Sequence, residues 1–153
     1  MELPAEAIDR LLDCWPVGRL ATLGPGGRPH LVPIVFARVG DLLWSPIDAK
    51  PKRAREPARV RHVRANPAAC LLLDHYDADW RRLWWLRLDA RARVVEPRDP
   101  AAEAALAAAV SALRAKYTGY AGVAVLRDPP LALALETRSV ASWCAGRSAI
   151  PVR

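Results

Sequence analysis

Residues 86–94, LRLDARARV, alternate without a break. Leu86, Leu88, Ala90, Ala92 and Val94 fall on one side of an extended chain, and Arg87, Asp89, Arg91 and Arg93 on the other. On a helix these residues would scatter around the whole circumference, whereas on a strand they separate into one apolar and one charged face. The segment therefore demands a sheet with one face buried and one solvated. Extended to 83–96 it includes adjacent Trp84 and Trp85, which must point to opposite faces. One of them can join the core. The other packs under an end helix or meets a second layer, either a partner subunit or a planar ligand.

The rest of the chain supplies the partners for that strand. GRLATL (18–23), HLVPIVFARV (30–39) and LLWSP (42–46) read as a three-strand meander, separated by the turn-rich GPGGRP and by a tight reversal at 39–41. Pro33 lies inside the second of these, which must then be an edge strand or bulged there, since proline donates nothing to a ladder. A bulge leaves backbone groups free to face a ligand. AACLLLDHY (68–76) reads as a buried strand, and LALALETRSVASWCA (131–145) as one long strand or a bent pair. Helices are expected over 4–14, over 57–67 with Val60 and Val63 facing the core, and over 99–117, which Asp99 caps and Pro100 opens. Six strands joined mainly by hairpins, with three helices, point to a mainly β, α+β fold built as a small closed or half-closed barrel, not a doubly wound parallel sheet. At 153 residues, 1–153 reads as one domain.

Side-chain chemistry is sparse. The chain has no GxSxG, HExxH, P-loop or GxGxxG motif. GPGGRP joins two strands and opens no helix, so it reads as a hairpin turn. Asp74, Asp77 and Asp79 read as a solvated turn. Cys14, Cys70 and Cys144 have no CxxC spacing and read as free, largely buried thiols in a reducing compartment, and His62, Cys70 and His75 fit no zinc pattern. No signal peptide or membrane-spanning run is evident, so a cytoplasmic protein is expected.

The net charge of +7 favours anionic partners without choosing among them, and comes almost entirely from arginine. Lysine is scarce in this arginine-, alanine- and proline-rich chain, yet two of its three lysines, Lys50 and Lys52, sit beside Arg53 and Arg55 in KPKRAR, between a strand and a helix. A nucleic-acid patch usually brings an aromatic signature, a recognition helix or a basic arm, and none accompanies this stretch. The remaining choices are a solvated loop and a clamp for a small anionic ligand, in which lysine supplies point charge and arginine a bidentate fork.

RLATLGPGGRPHLVPIVFARVGDLLWSPIDAKPKR (19–53), followed by RVRHVRANPAACLLLDHYDADWRRLWWLRLDARARVVEP (59–97), resembles the pyridoxamine-phosphate-oxidase-like split-barrel flavin and deazaflavin proteins. Within them it is most similar to the actinobacterial coenzyme F420-dependent branch. The resemblance implies a six-stranded antiparallel split β-barrel that forms a homodimer, with cofactor sites along the subunit interface. It further implies that the cofactor ring lies against Val32, Pro33, Ile34 and Val35, with backbone amides near Pro33 bonding the ring edge. Lys50, Lys52 and Arg53 would grip the phosphate and Arg55 would meet an acidic tail. Many relatives carry their basic pair nearer the next helix, where this chain has Arg59 and Arg61. Trp84 or Trp85 would complete the partner's pocket. The implied activity is hydride transfer between reduced F420 and a small electrophile such as an activated alkene, imine or quinone, with product protonated by solvent, or by His30 or Tyr76. FMN in the same site, or F420 binding without turnover, are the alternatives. Substrate-facing residues would come from GYAGVAVLRDPP (119–130) and the C-terminal segment; neither nucleic acid nor membrane is an expected partner.

Overall fold

The computed structural model describes residues 1–48 and 56–149. The basic stretch with Lys50, Lys52, Arg53 and Arg55 lies outside them. The chain forms α1 (Ala5–Cys14), β1 (Gly18–Leu23), β2 (Pro29–Ile34), β3 (Ala37–Val39), β4 (Leu42–Pro46), α2 (Ala58–Ala65), β5 (Ala68–His75), β6 (Trp84–Val95), α3 (Pro100–Lys116) and β7 (Ala132–Cys144). Among the described residues all strand pairs are antiparallel, in one sheet of seven strands ordered β2-β1-β5-β6-β7-β4-β3. The two edge strands, β2 and β3, are consecutive in sequence and joined only by Val35–Phe36. Because that link is so short, the sheet must curl until its edges nearly meet, and because β2 and β3 do not pair, the barrel stays split.

The count is seven where the sequence suggests six, because the expected strand 30–39 breaks in two. Its first half pairs with β1, Pro33 standing opposite Arg19 on the edge strand, which is where a residue without an N–H costs no ladder bond. Its second half pairs with β4 instead. The 131–145 segment is a single strand, with a register shift where it passes Asp89 and Ala90 of β6.

The alternation in β6 does what its pattern requires. Trp84, Leu86, Leu88, Ala90 and Ala92 are buried, while Arg87, Arg91 and Arg93 are exposed. They meet Leu20, Leu71, Leu73, Leu133 and Leu135 of neighbouring strands in the main core, which α1 closes with Leu11 and α2 with Val60 and Val63. Gly18 starts β1 where a Cβ would stand 2.6 Å from Leu71 Cδ1, so any larger residue would force the buried Leu71 side chain to shift. α3 packs Leu106 and Ala109 against Trp44, Val95, Ala132 and Ala134. Asp99 caps it, accepting from the Ala102 N–H at 2.8 Å. α1 is tied down by Arg38, which bonds Asp9 and Asp13, each at 2.6 Å, and by Lys116, which donates to the Leu12 carbonyl. The cysteines are all free; Cys144 is buried and Cys70 half-buried, but Cys14, at the last turn of α1, is exposed. No helix among the described residues is long and apolar enough to cross a membrane.

Candidate functional site

Where β2 parts from β1 after Ile34, the backbone of Val35 and Phe36 has no strand to pair with. Tyr117, just past the end of α3, takes that role. Its hydroxyl accepts from the Phe36 N–H at 3.0 Å and donates toward the Phe36 carbonyl at 2.8 Å and the Pro16 carbonyl at 3.0 Å. The edge of β2 is thereby held away from the end of β4, and a cleft in two lobes opens between them.

The inner lobe, about 200 Å³, is walled by Pro33, Ile34 and Val35 on one side and by Ser45 and Pro46 on the other, with Arg59 from α2 and Val17 completing it. The outer lobe, about 380 Å³, is formed by Lys116, Tyr117, Thr118 and Gly119. Val35, Asp48 and Tyr120 line both lobes, so the two are one continuous cleft. As an edge strand, β2 leaves backbone groups unpaired on the side away from β1, which suits hydrogen bonds to the rim of a flat heterocycle.

Arg59 is the notable cation of the inner lobe. Among the described residues its Nε is buried without a hydrogen-bond partner. Burial pulls its pKa down from the ordinary arginine value, and the charge of Asp48 offsets this only in part. A guanidinium stays protonated in such a place, so the lobe carries a desolvated positive charge with an N–H left open, the arrangement a phosphate or carboxylate satisfies. Arg61, two residues on and so on the opposite side of α2, is exposed and donates to the Glu56 carbonyl. Of that pair, only Arg59 reaches the cleft.

In the outer lobe, Tyr117 and Tyr120 meet edge to face, with ring centroids 6.2 Å apart. Burial raises the pKa of both hydroxyls, helped at Tyr120 by Asp48, so both stay protonated at neutral pH. Burial also lowers the pKa of Lys116, to about 8.

Among the residues expected at a cofactor site, the fold brings Pro33, Ile34, Val35 and Arg59 together. Val32 does not line the cleft; it is half-buried and packs against the main core, to which Ile34, two residues on and on the same face of β2, also belongs. Trp85 is not in the cleft of its own chain. It stands half-buried on the outer face of β6, paired in register with Trp143 of β7, while Trp84 is 1% exposed in the core. His30 and Tyr76 are not among the cleft residues; His30 packs on His62, at 5.0 Å between centroids, and Tyr76 is exposed. Sequence reasoning missed Asp48, Lys116 and Tyr117. One signal pointed to Lys116: the scarcity that singles out Lys50 and Lys52 applies equally to the third lysine. Tyr120 does fall in the 119–130 loop expected to face substrate.

Three comparisons place this architecture. Among curated proteins, none matches the chain. Among solved structures, the conserved hypothetical protein Rv2991 from Mycobacterium tuberculosis superposes with a TM-score of 0.76 at 22% identity, over 99% of this chain and 91% of that one. A FAD-binding protein from Mesorhizobium loti follows at 0.68 and 20%, covering 93% of each chain. An F420 reductase superposes at 0.57 and 19%, over 87% of this chain and 94% of that one. These likenesses show the split-barrel fold. The family model described as pyridoxamine 5'-phosphate oxidase matches residues 4–144, and the chain belongs to that family.

Proposed function

We propose that the protein is an oxidoreductase that binds coenzyme F420 in the cleft and serves hydride transfer to a small electrophilic substrate. The cofactor ring lies along Pro33, Ile34 and Val35, beside Val32. Its phosphate meets Arg59, with Lys50, Lys52 and Arg53 completing the grip and Arg55 reaching an acidic tail. The observation that carries this assignment is the buried Arg59 guanidinium, open at Nε, at one end of a lobe whose opposite wall is an unpaired strand edge. That is one charged contact and one hydrogen-bonding rim in the same lobe, the two kinds of contact a phosphorylated heterocycle uses. The deazaflavin supplies the hydride chemistry; the chain's part is to orient the ring and exclude water. An F420 reductase and a FAD-binding protein among the structural neighbours support a flavin-like ligand.

The functional unit is a homodimer of two such domains, each 1–153. The paired Trp85 and Trp143 on the outer sheet face, together with exposed Leu31, give the second copy an apolar surface to cover, so Trp143→Glu shifts the sedimentation coefficient toward a monomer.

Fluorescence titration with F420 and, separately, FMN tests the cofactor. Micromolar F420 binding that weakens about tenfold or more in Arg59→Met, Lys50→Ala or Lys52→Ala supports the assignment. Tight FMN with no F420 moves it to a flavin enzyme of the same fold. F420 binding with no turnover of any enone, imine or quinone leaves a carrier. Binding of neither refutes the assignment.

A further inference from the structure

Lys116 does more than anchor α1. Among the described residues its ammonium donates to a single oxygen, the Leu12 carbonyl at 3.1 Å. Its other close neighbours are ring faces: the Phe36 centroid at 3.7 Å and the Tyr117 centroid at 5.6 Å. An ammonium has three N–H donors. One is used on an oxygen and one is met by the Phe36 face, so a third has no oxygen acceptor.

This side chain lines the outer lobe with Tyr117 and Tyr120, whose perpendicular rings form an aromatic corner. The corner is braced from behind by Arg114, which donates to the Tyr120 carbonyl at 2.7 Å and the Val123 carbonyl at 2.8 Å. The Tyr117 hydroxyl is committed to Phe36, so it is the ring that Tyr117 offers a ligand. The lobe thus combines aromatic surface for a flat body with a half-buried lysine in its wall. A desolvated ammonium with one oxygen partner gains most from an anionic or strongly polarised oxygen.

We propose that this outer lobe is a second ligand site, occupied beside the cofactor by a planar molecule whose phenolate, enolate or conjugated carbonyl oxygen is held by Lys116. This rests on placing the cofactor in the inner lobe, and names the class of its co-substrate: quinones, enones and aryl carbonyl compounds, ahead of imines, which lack the oxygen. The charges around Lys116 are Asp13 and Cys14 of α1, which favour its protonated form, and Arg38 of β3, which opposes it; Asp48 lines the lobe. Burial dominates, yet Lys116 remains mostly protonated at pH 7.

The probe is 4-nitrophenol, whose phenolate absorbs in the visible. Added to the native protein just below its own pKa, it should show an increased phenolate band, because the site binds the anion and not the neutral phenol. Lys116→Met should weaken binding about tenfold or more, while Lys116→Arg retains part of it. Affinity for the phenolate in the native protein should fall as the pH rises through about 8 and Lys116 discharges; this arm needs no variant to fold. F420 added to the same sample should leave the phenolate bound. Unchanged binding in Lys116→Met, a level pH profile, or displacement of the phenolate by F420 would each overturn the proposal. Phenolate binding that depends on Lys116, together with no F420 binding, supports this site and counts against the cofactor assignment alone.

Discussion

Tyr117→Phe removes one oxygen atom from a fold of 153 residues and should be felt both in stability and in the cleft. The hydroxyl is the acceptor for the Phe36 N–H and the donor for either the Phe36 or the Pro16 carbonyl. Phe36 is fully buried, at 0% exposure, so water cannot replace the lost partner. An orphaned buried donor costs about 1–3 kcal/mol. The carbonyl side costs less, since one proton is shared between two acceptors, and the variant no longer buries the hydroxyl itself. The ring stays in place against Leu113 and Val125, so no cavity term is added. The net loss is about 2–3 kcal/mol, which for a chain of this size lowers Tm by about 4–12 °C.

Urea unfolding followed by circular dichroism measures this directly, with an unchanged m-value showing that the unfolded state is the same. Tyr120→Phe is the control, because the Tyr120 hydroxyl makes no hydrogen bond among the described residues; its effect should stay within about 0.5 kcal/mol. Val35 of the released link lines both lobes, so Tyr117→Phe should weaken ligand binding at temperatures where the variant is fully folded. If Tyr117→Phe loses no more stability than Tyr120→Phe, then the hydroxyl does not hold the split open, and this account of the cleft is wrong.

Gly18→Ala drives a methyl to 2.6 Å from Leu71 Cδ1 and 3.2 Å from Leu73 Cδ2, both on fully buried side chains. It should cost about 1–3 kcal/mol, and a double-mutant cycle with Leu71→Ala should recover part of that. Arg59→Met removes a buried charge whose Nε has no partner, so thermal stability should hold or rise even as the affinity for an anionic cofactor falls. Lys116 has a folded pKa of about 8, below its ordinary 10.5. The unfolded chain therefore binds more protons above pH 8, and native stability should climb from pH about 8 toward 10, below the raised titrations of Tyr117 and Tyr120. In Lys116→Met the climb should vanish, as read by urea midpoints across that range.

Elements governed by local rules were legible in the sequence. The period of two fixed β6, Asp99–Pro100 fixed the start of α3 within a residue, and Pro33 marked an edge strand. The break in strand 30–39 was not legible, because Val32, Ile34 and Phe36 continue the alternation through it. What parts the strand is Tyr117, 81 residues further on, and a contact at that separation leaves no trace in a local pattern. The cleft was hidden for the same reason. Its walls come from Val17, residues 33–35, Ser45, Pro46, Asp48, Arg59 and residues 116–120, and only the curl of the sheet brings them together. Composition did carry a hint: with lysine so scarce, each one invited a question, and Lys116 answers it in the structure while Lys50 and Lys52 lie outside the described residues.

The two cations of the cleft sharpen this point. Arg59 stands in the inner lobe and Lys116 in the outer, and burial depresses the pKa of both. Each is a charge withdrawn from water with fewer hydrogen bonds than it can make, and such a group destabilises the fold that contains it. A methionine in place of Arg59 would remove a buried charge whose Nε has no partner among the described residues. Asp48, which lines both lobes, relieves the strain at Arg59 only in part. A cleft with Arg59 in the wall of one lobe, Lys116 in the wall of the other and Val35 and Tyr120 common to both is therefore more favourable with a complementary ligand than without one. Complementary contents are flat and apolar where they meet Val35 and the tyrosine rings and anionic or oxygen-bearing where they meet the cations, as a phosphorylated ring beside an oxygen-bearing acceptor is. It follows that ligand should raise the melting temperature of the native protein by more than that of Arg59→Met or Lys116→Met, because only in the native protein does binding also satisfy the buried charges.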